Sequence, residues 1–127
     1  MLKATELQIG DWVQLPDSAG RVVSIAKNGI YFESELGEGV CSFDHLQSVP
    51  ITPKILEKNG FKKYGDTGWW LEEDYYDVHV YEWSDGVWVS RYEITEINCP
   101  HEQATMSYVH ELQQFLRLCG IEKKIEL

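Results

Sequence analysis

The stretch DVHVYEWSDGVWVSRY, residues 77–92, decides the reading of the C-terminal half. Two runs of Val, Tyr and Trp flank Asp85-Gly86, a dipeptide that tolerates the left-handed backbone of a tight hairpin turn. With Asp85-Gly86 as the turn, Ser84 faces Val87, Trp83 faces Trp88, Tyr81 faces Ser90 and His79 faces Tyr92. Side chains alternate along a strand. One face therefore shows His79, Tyr81, Trp83, Trp88, Tyr92 and Ile94, and the other Val78, Val80, Val87 and Val89. A sheet wetted on one side alternates more cleanly than this. Each ring buries roughly 150–250 Å² when covered, so most of them are expected in a core.

Just upstream, GWWLEE (68–73) reads as another strand. Trp69 and Trp70 are adjacent, so they point to opposite faces and cannot both enter one core. Carboxylates surround them. Exposed aromatics anchor partners, and neighbouring acids select basic ones. Trp69, Trp70, Glu72, Glu73, Asp74 and Asp77 are therefore the candidate binding residues, with a basic protein surface as the expected partner.

The flanks of this sheet read as helices. In TPKILEKNGF (52–61), Thr52 caps a short helix and Pro53 suits its first position. Gly60 stops it in the left-handed conformation, and Phe61 supplies the apolar contact after the stop. ATMSYVHELQQFLRLCG (104–120) reads as one long helix, with Tyr108, Val109, Leu112, Phe115, Leu116 and Cys119 on one stripe. His110, Gln113, Gln114 and Arg117 lie on or toward its other side, Gly120-Ile121 is a second stop, and EKKIEL suggests an edge strand.

The first fifty residues carry short strands at short intervals: DWVQL (11–15), RVVSIA (21–26), GIYFESE (29–35), VCSF (40–43) and SVPI (48–51). Asn28-Gly29 marks a hairpin between the second and third, and DHLQ (44–47) a single helical turn before the last. Five such strands imply a small, strongly bent barrel of the SH3-like kind. The fold class read from the sequence is thus α+β. An SH3-like small β-barrel occupies residues 1–51. A short helix, an antiparallel hairpin sheet and a long C-terminal helix packed on it occupy 52–127 and are able to share one core with the barrel.

Composition narrows the function. The chain has 127 residues, 43% of them apolar, and a net charge of −10. Residues 68–98 hold eight acidic groups and one basic group, a net of −7. Such a field repels phosphate backbones and anionic lipid. The only net-positive segment, 51–67, contains Lys54, Lys58, Lys62 and Lys63, the residues a nucleic-acid-binding alternative would use. Three widely spaced cysteines, Cys41, Cys99 and Cys119, fit reduced thiols rather than a disulfide framework. MLKATELQIG lacks the apolar core of a signal peptide, and no stretch approaches the ~20 apolar residues of a membrane span. A cytoplasmic protein is expected.

Chemical motifs mostly fail. HELQQ (110–114) has Gln114 where a zinc-protease helix needs a second His. Cys99, His101, His79 and Cys119 lack zinc-site spacing. EEDYYD (72–77) lacks the spacing of a calcium loop, and LGEGVCS lacks the Lys-Ser/Thr of a phosphate loop. No catalytic residue, metal or cofactor is assigned, and a non-enzymatic binding module is the expectation. The alternative is an acidic mimic of nucleic acid.

Two resemblances accompany this reading. IGDWV and GRVVSI resemble the opening of SH3-like and KOW-type barrels, although three basic residues in the first fifty are few for an RNA binder. The segments ATELQIGDWV (4–13), VPITPKILEKNGFKK (49–63) and YVHELQQFLRLCGIEKKIEL (108–127) resemble a group of small proteins from gut bacteria and their phages and mobile elements. That resemblance implies no activity.

Overall fold

The computed structural model describes residues 2–72, 76–83, 86–93 and 100–127. The chain divides into two compact units: Met1–Pro50 with Tyr108–His110, and Ile51–Ser107 with Glu111–Leu127.

The first unit is a four-stranded antiparallel meander in the order β1-β2-β3-β4. Its strands are β1 (Trp12–Gln14), β2 (Ala19–Ile25), β3 (Gly29–Ser34) and β4 (Gly37–Ser42). Alternation puts Val22 and Ile30 on the covered face, where they join Leu2, Leu7, Val13, Leu15 and Leu46 in the core. The helical turn expected near 44–47 forms at Phe43–His45, where the Ser42 hydroxyl accepts from the Asp44 N–H at 3.1 Å.

No barrel forms. Closure needs the last strand to pair along the first, and the expected fifth strand does not exist. Among the described residues, Gln47 just before it and Pro50 within it make isolated bridges, Gln14↔Gln47 and Pro50↔Tyr108, and no ladder. Pro50 has no N–H to donate, which limits any ladder there. The sheet stays open, and the SH3-like and KOW-type assignment is withdrawn.

The β2–β3 hairpin is present, but its glycine has another job. The Ala26 N–H donates to the Gly29 carbonyl at 2.9 Å and Ile25 faces Ile30, so Lys27-Asn28 is the centre of the turn. Neither Asn28 nor Gly29 has a positive φ. Instead, a Cβ on Gly29 would strike the Cys41 carbonyl of β4.

The second unit begins with α1 (Pro53–Lys58), whose N-terminus is capped as expected: the Ile55 N–H donates to Thr52 Oγ1 at 3.3 Å. Its end is a six-to-one, five-to-two stop. The Phe61 N–H donates to the Leu56 carbonyl and the Gly60 N–H to the Glu57 carbonyl, with Gly60 at φ +85°. Then come β5 (Lys62–Tyr64), β6 (Gly68–Glu72), β7 (Tyr76–Trp83), β8 (Gly86–Glu93) and β9 (Pro100–Met106), an antiparallel sheet in sequence order. Helix α2 (Val109–Leu118) ends with the same stop at Gly120-Ile121.

Three expectations change here. Residues 104–106 belong to β9, not to the helix. Ala104 and Met106 pair with Val89 and Val87, and this ladder overrides the helical propensity of the segment. Of the expected stripe, Val109, Leu112, Phe115, Leu116 and Cys119 are buried, but Tyr108 is exposed and precedes α2, and His110 and Gln113 are buried as well. The helix is therefore covered over a wider arc than one apolar stripe. The tail forms no strand. Ile121 and Ile125 are buried, and Asn59 holds the backbone of Glu126 from both sides: the Glu126 N–H donates to Asn59 Oδ1 and Asn59 Nδ2 donates to the Glu126 carbonyl, each at 2.7 Å.

The β7–β8 hairpin is shifted by two residues from the expected register. Trp83 faces Gly86, Tyr81 faces Trp88 and His79 faces Ser90. A two-residue shift leaves every residue on its own face, because the pleat repeats every two residues. Val78, Val80 and Val89 are buried, together with Trp69 and Leu71 of β6.

Candidate binding face

The other face of the five-stranded sheet carries the candidate site. Cross-strand rows define it. One row runs Tyr64, Gly68, Tyr81; the next runs Lys62, Trp70, His79; a third pairs Glu72 with Asp77. Gly68 allows the first row to close up. A Cβ there would lie 2.7 Å from the Tyr64 carbonyl and 3.6 Å from Tyr81.

His79 is the hub. Its ring centroid lies 6.0 Å from Tyr81, 6.3 Å from Trp70 in an edge-on arrangement, and 6.4 Å from Tyr64. Its Nδ1 shares a 2.8 Å hydrogen bond with the Tyr81 hydroxyl. Burial pushes the His79 imidazole below its ordinary pKa, and the nearby Asp77 charge partly opposes this. Burial pushes the Asp77 carboxyl up; the His79 charge lowers it, and the Glu72 charge raises it further.

The six residues singled out from the sequence separate. Trp69, 8% exposed, belongs to the buried face. Trp70 is half-buried on the opposite face with Glu72, which is exposed, and Asp77, which is buried. Glu73 and Asp74 lie outside the described residues, as do Cys99 and Ile94. The side chains of Trp83, Trp88, Tyr92 and His101 also lie outside them. Among the lysines of 51–67, Lys62 shares the face of Trp70, and Lys63, opposite Trp69, does not.

His79, Tyr81 and Tyr64 complete the cluster. Alternation along the hairpin places His79 and Tyr81 on the face of Trp70. Tyr64 was missed because β5 has only three residues, all exposed. The signal available for it was YGDTG (64–68), a turn sequence leading directly into GWWLE.

Among the described residues, no group of three or more His, Cys, Asp or Glu is placed to hold a metal ion. Among them, too, no helix is long and apolar enough to cross a membrane. No family model, curated protein or solved structure matches the chain. The resemblance to small proteins of gut bacteria, phages and mobile elements therefore has no match behind it and is withdrawn.

Proposed function

We propose that the protein is a non-enzymatic binding module that takes a cationic segment of a partner protein on the aromatic face of its five-stranded sheet. The supporting observation is the ring cluster of Tyr64, Trp70 and Tyr81 around His79, with Glu72 and Asp77 in the adjoining row. Ring faces attract cations by about 0.5–2 kcal/mol each, most strongly for Trp and for Arg. Lys62, opposite Trp70, repels a ligand cation on one side, while Glu72 and Asp77 attract it on the other. A guanidinium would therefore sit over Trp70 toward the acidic row.

A nucleic-acid mimic needs its carboxylates arrayed on one surface. Glu82 falls on the valine face, away from Glu72 and Asp77, which favours the protein-binding reading. The test is titration of the full chain with an Arg-Gly repeat peptide at low salt, followed by fluorescence anisotropy of the labelled peptide. Trp70→Ala should weaken binding by roughly 5–30-fold. Absence of binding by the wild-type chain, or equal binding by Trp70→Ala, refutes the proposal.

A further inference from the structure

Strand β4 closes one side of the first unit's sheet, and among the described residues no strand lies beyond it. Ser34 and Gly37 flank a two-residue loop, which makes them a hydrogen-bonded pair. Hydrogen-bonded pairs recur every two residues, and the Phe43 N–H donates to the Asn28 carbonyl at 3.1 Å in that same phase. Gly39 and Cys41 thus direct their N–H and C=O groups toward β3, while Glu38 and Val40 direct theirs outward.

Protein edges of this kind are normally blunted by charged side chains, Lys above all, by Pro, by a bulge or by a covering segment. GEGVCS has no Lys or Pro, its one charge is the exposed Glu38, and the β3–β4 register is continuous. Val40 is 74% exposed beside the half-exposed Tyr31, its cross-strand neighbour. Cavities of about 380 and 400 Å³ flank the strand, both lined by Val40. The first is also lined by Asp17, Leu36 and Glu38, all exposed.

We infer that β4 is a docking edge for an extended segment of a partner protein, added antiparallel as a fifth strand. The segment carries an apolar residue and, two positions later, Lys or Arg. The apolar residue lies against Val40 and Tyr31, and the cation lies opposite Glu38, with Asp17 near the same groove. Backbone bonds at Glu38 and Val40 supply affinity, and the alternate side chains supply choice. A second copy of this chain is the poorer occupant, because two bodies of net charge −10 repel.

The probe is the capped peptide Thr-Thr-Val-Thr-Lys-Thr, titrated into the full isotope-labelled chain and read by amide shifts and amide hydrogen exchange. The expected result is that the Glu38 and Val40 amides shift and slow their exchange about tenfold or more at saturation. Replacing the probe's Lys by Glu should weaken binding about tenfold, since an attractive cross-strand pair becomes a repulsive one. Val40→Pro removes an outward N–H that the fold does not use, so the chain should stay folded and lose the probe. Glu38→Lys should reverse the preference to the Glu-bearing probe. No protection by the Lys probe at millimolar concentration, or equal binding of both probes by the wild-type chain, overturns the inference. So does a concentration-dependent dimer that protects the same two amides without any peptide.

Discussion

Asn59 offers a sharp test of how the C-terminal tail is held. Its side chain is 5% exposed and makes three hydrogen bonds: Nδ2 to the Ile55 carbonyl at 2.8 Å, and the reciprocal pair with the Glu126 backbone at 2.7 Å each. Each such bond contributes a net of about 0.5–1.5 kcal/mol, and stranding a buried partner costs more. Glu126 itself is exposed, so water recovers part of the loss when the amide is removed. Asn59→Ala should therefore cost about 2–3 kcal/mol, lowering the urea midpoint by roughly 1–2 M. Hydrogen exchange at the Glu126 amide should accelerate more than at Phe61, which bonds within its own helix stop. Asn59→Asp is the stricter variant. It keeps the Oδ1 acceptor but turns a second acceptor toward the Ile55 and Glu126 carbonyls, so it should be at least as damaging as Ala. A loss below ~0.5 kcal/mol for Ala, or wild-type stability for Asp, would refute the clasp and shift the anchoring of the tail to other contacts, among them buried Ile121 and Ile125 and the Lys58 Nζ donation to the Leu127 carbonyl.

Further outcomes follow from the same geometry. Gly29→Ala should destabilise by about 1–3 kcal/mol in a thermal melt, because its methyl meets the β4 backbone rather than a flexible side chain. Trp69→Ala should cost about 3–5 kcal/mol as a core truncation, and Trp70→Ala less than half of that, so urea midpoints will separate two adjacent residues. His79 has a folded pKa below its unfolded value of 6.5, so the unfolded chain binds its proton first. Its contribution to stability is complete above that value and is lost as pH falls through the lower folded pKa. His79→Gln should therefore flatten the decline in stability measured from pH 7 downward.

Local signals carried much of the second unit. Thr52 with Pro53, Gly60 with Phe61, and Gly120 with Ile121 each act within about five residues, and the structure realises all three. Alternation in VHVYEW separated the valine face from the face of His79 and Tyr81 regardless of register, because the shift was two residues. Other features depended on distant partners. Residues 104–106 read as helix until β8 offered them a ladder. Tyr64 joined the candidate face only through its pairing with Gly68.

The sequence by itself determined where α1 starts, where both helices stop, that β2–β3 and β7–β8 form hairpins, and which side of β6 and β7 is apolar. Those choices rest on backbone preference and side-chain period, which are properties of neighbouring residues. Tertiary structure alone decided that the first sheet stays open, that Gly29 serves a close approach rather than a turn, and that rings from β5, β6 and β7 meet around His79. Each of these depends on which distant backbone arrives alongside, and no local preference encodes that.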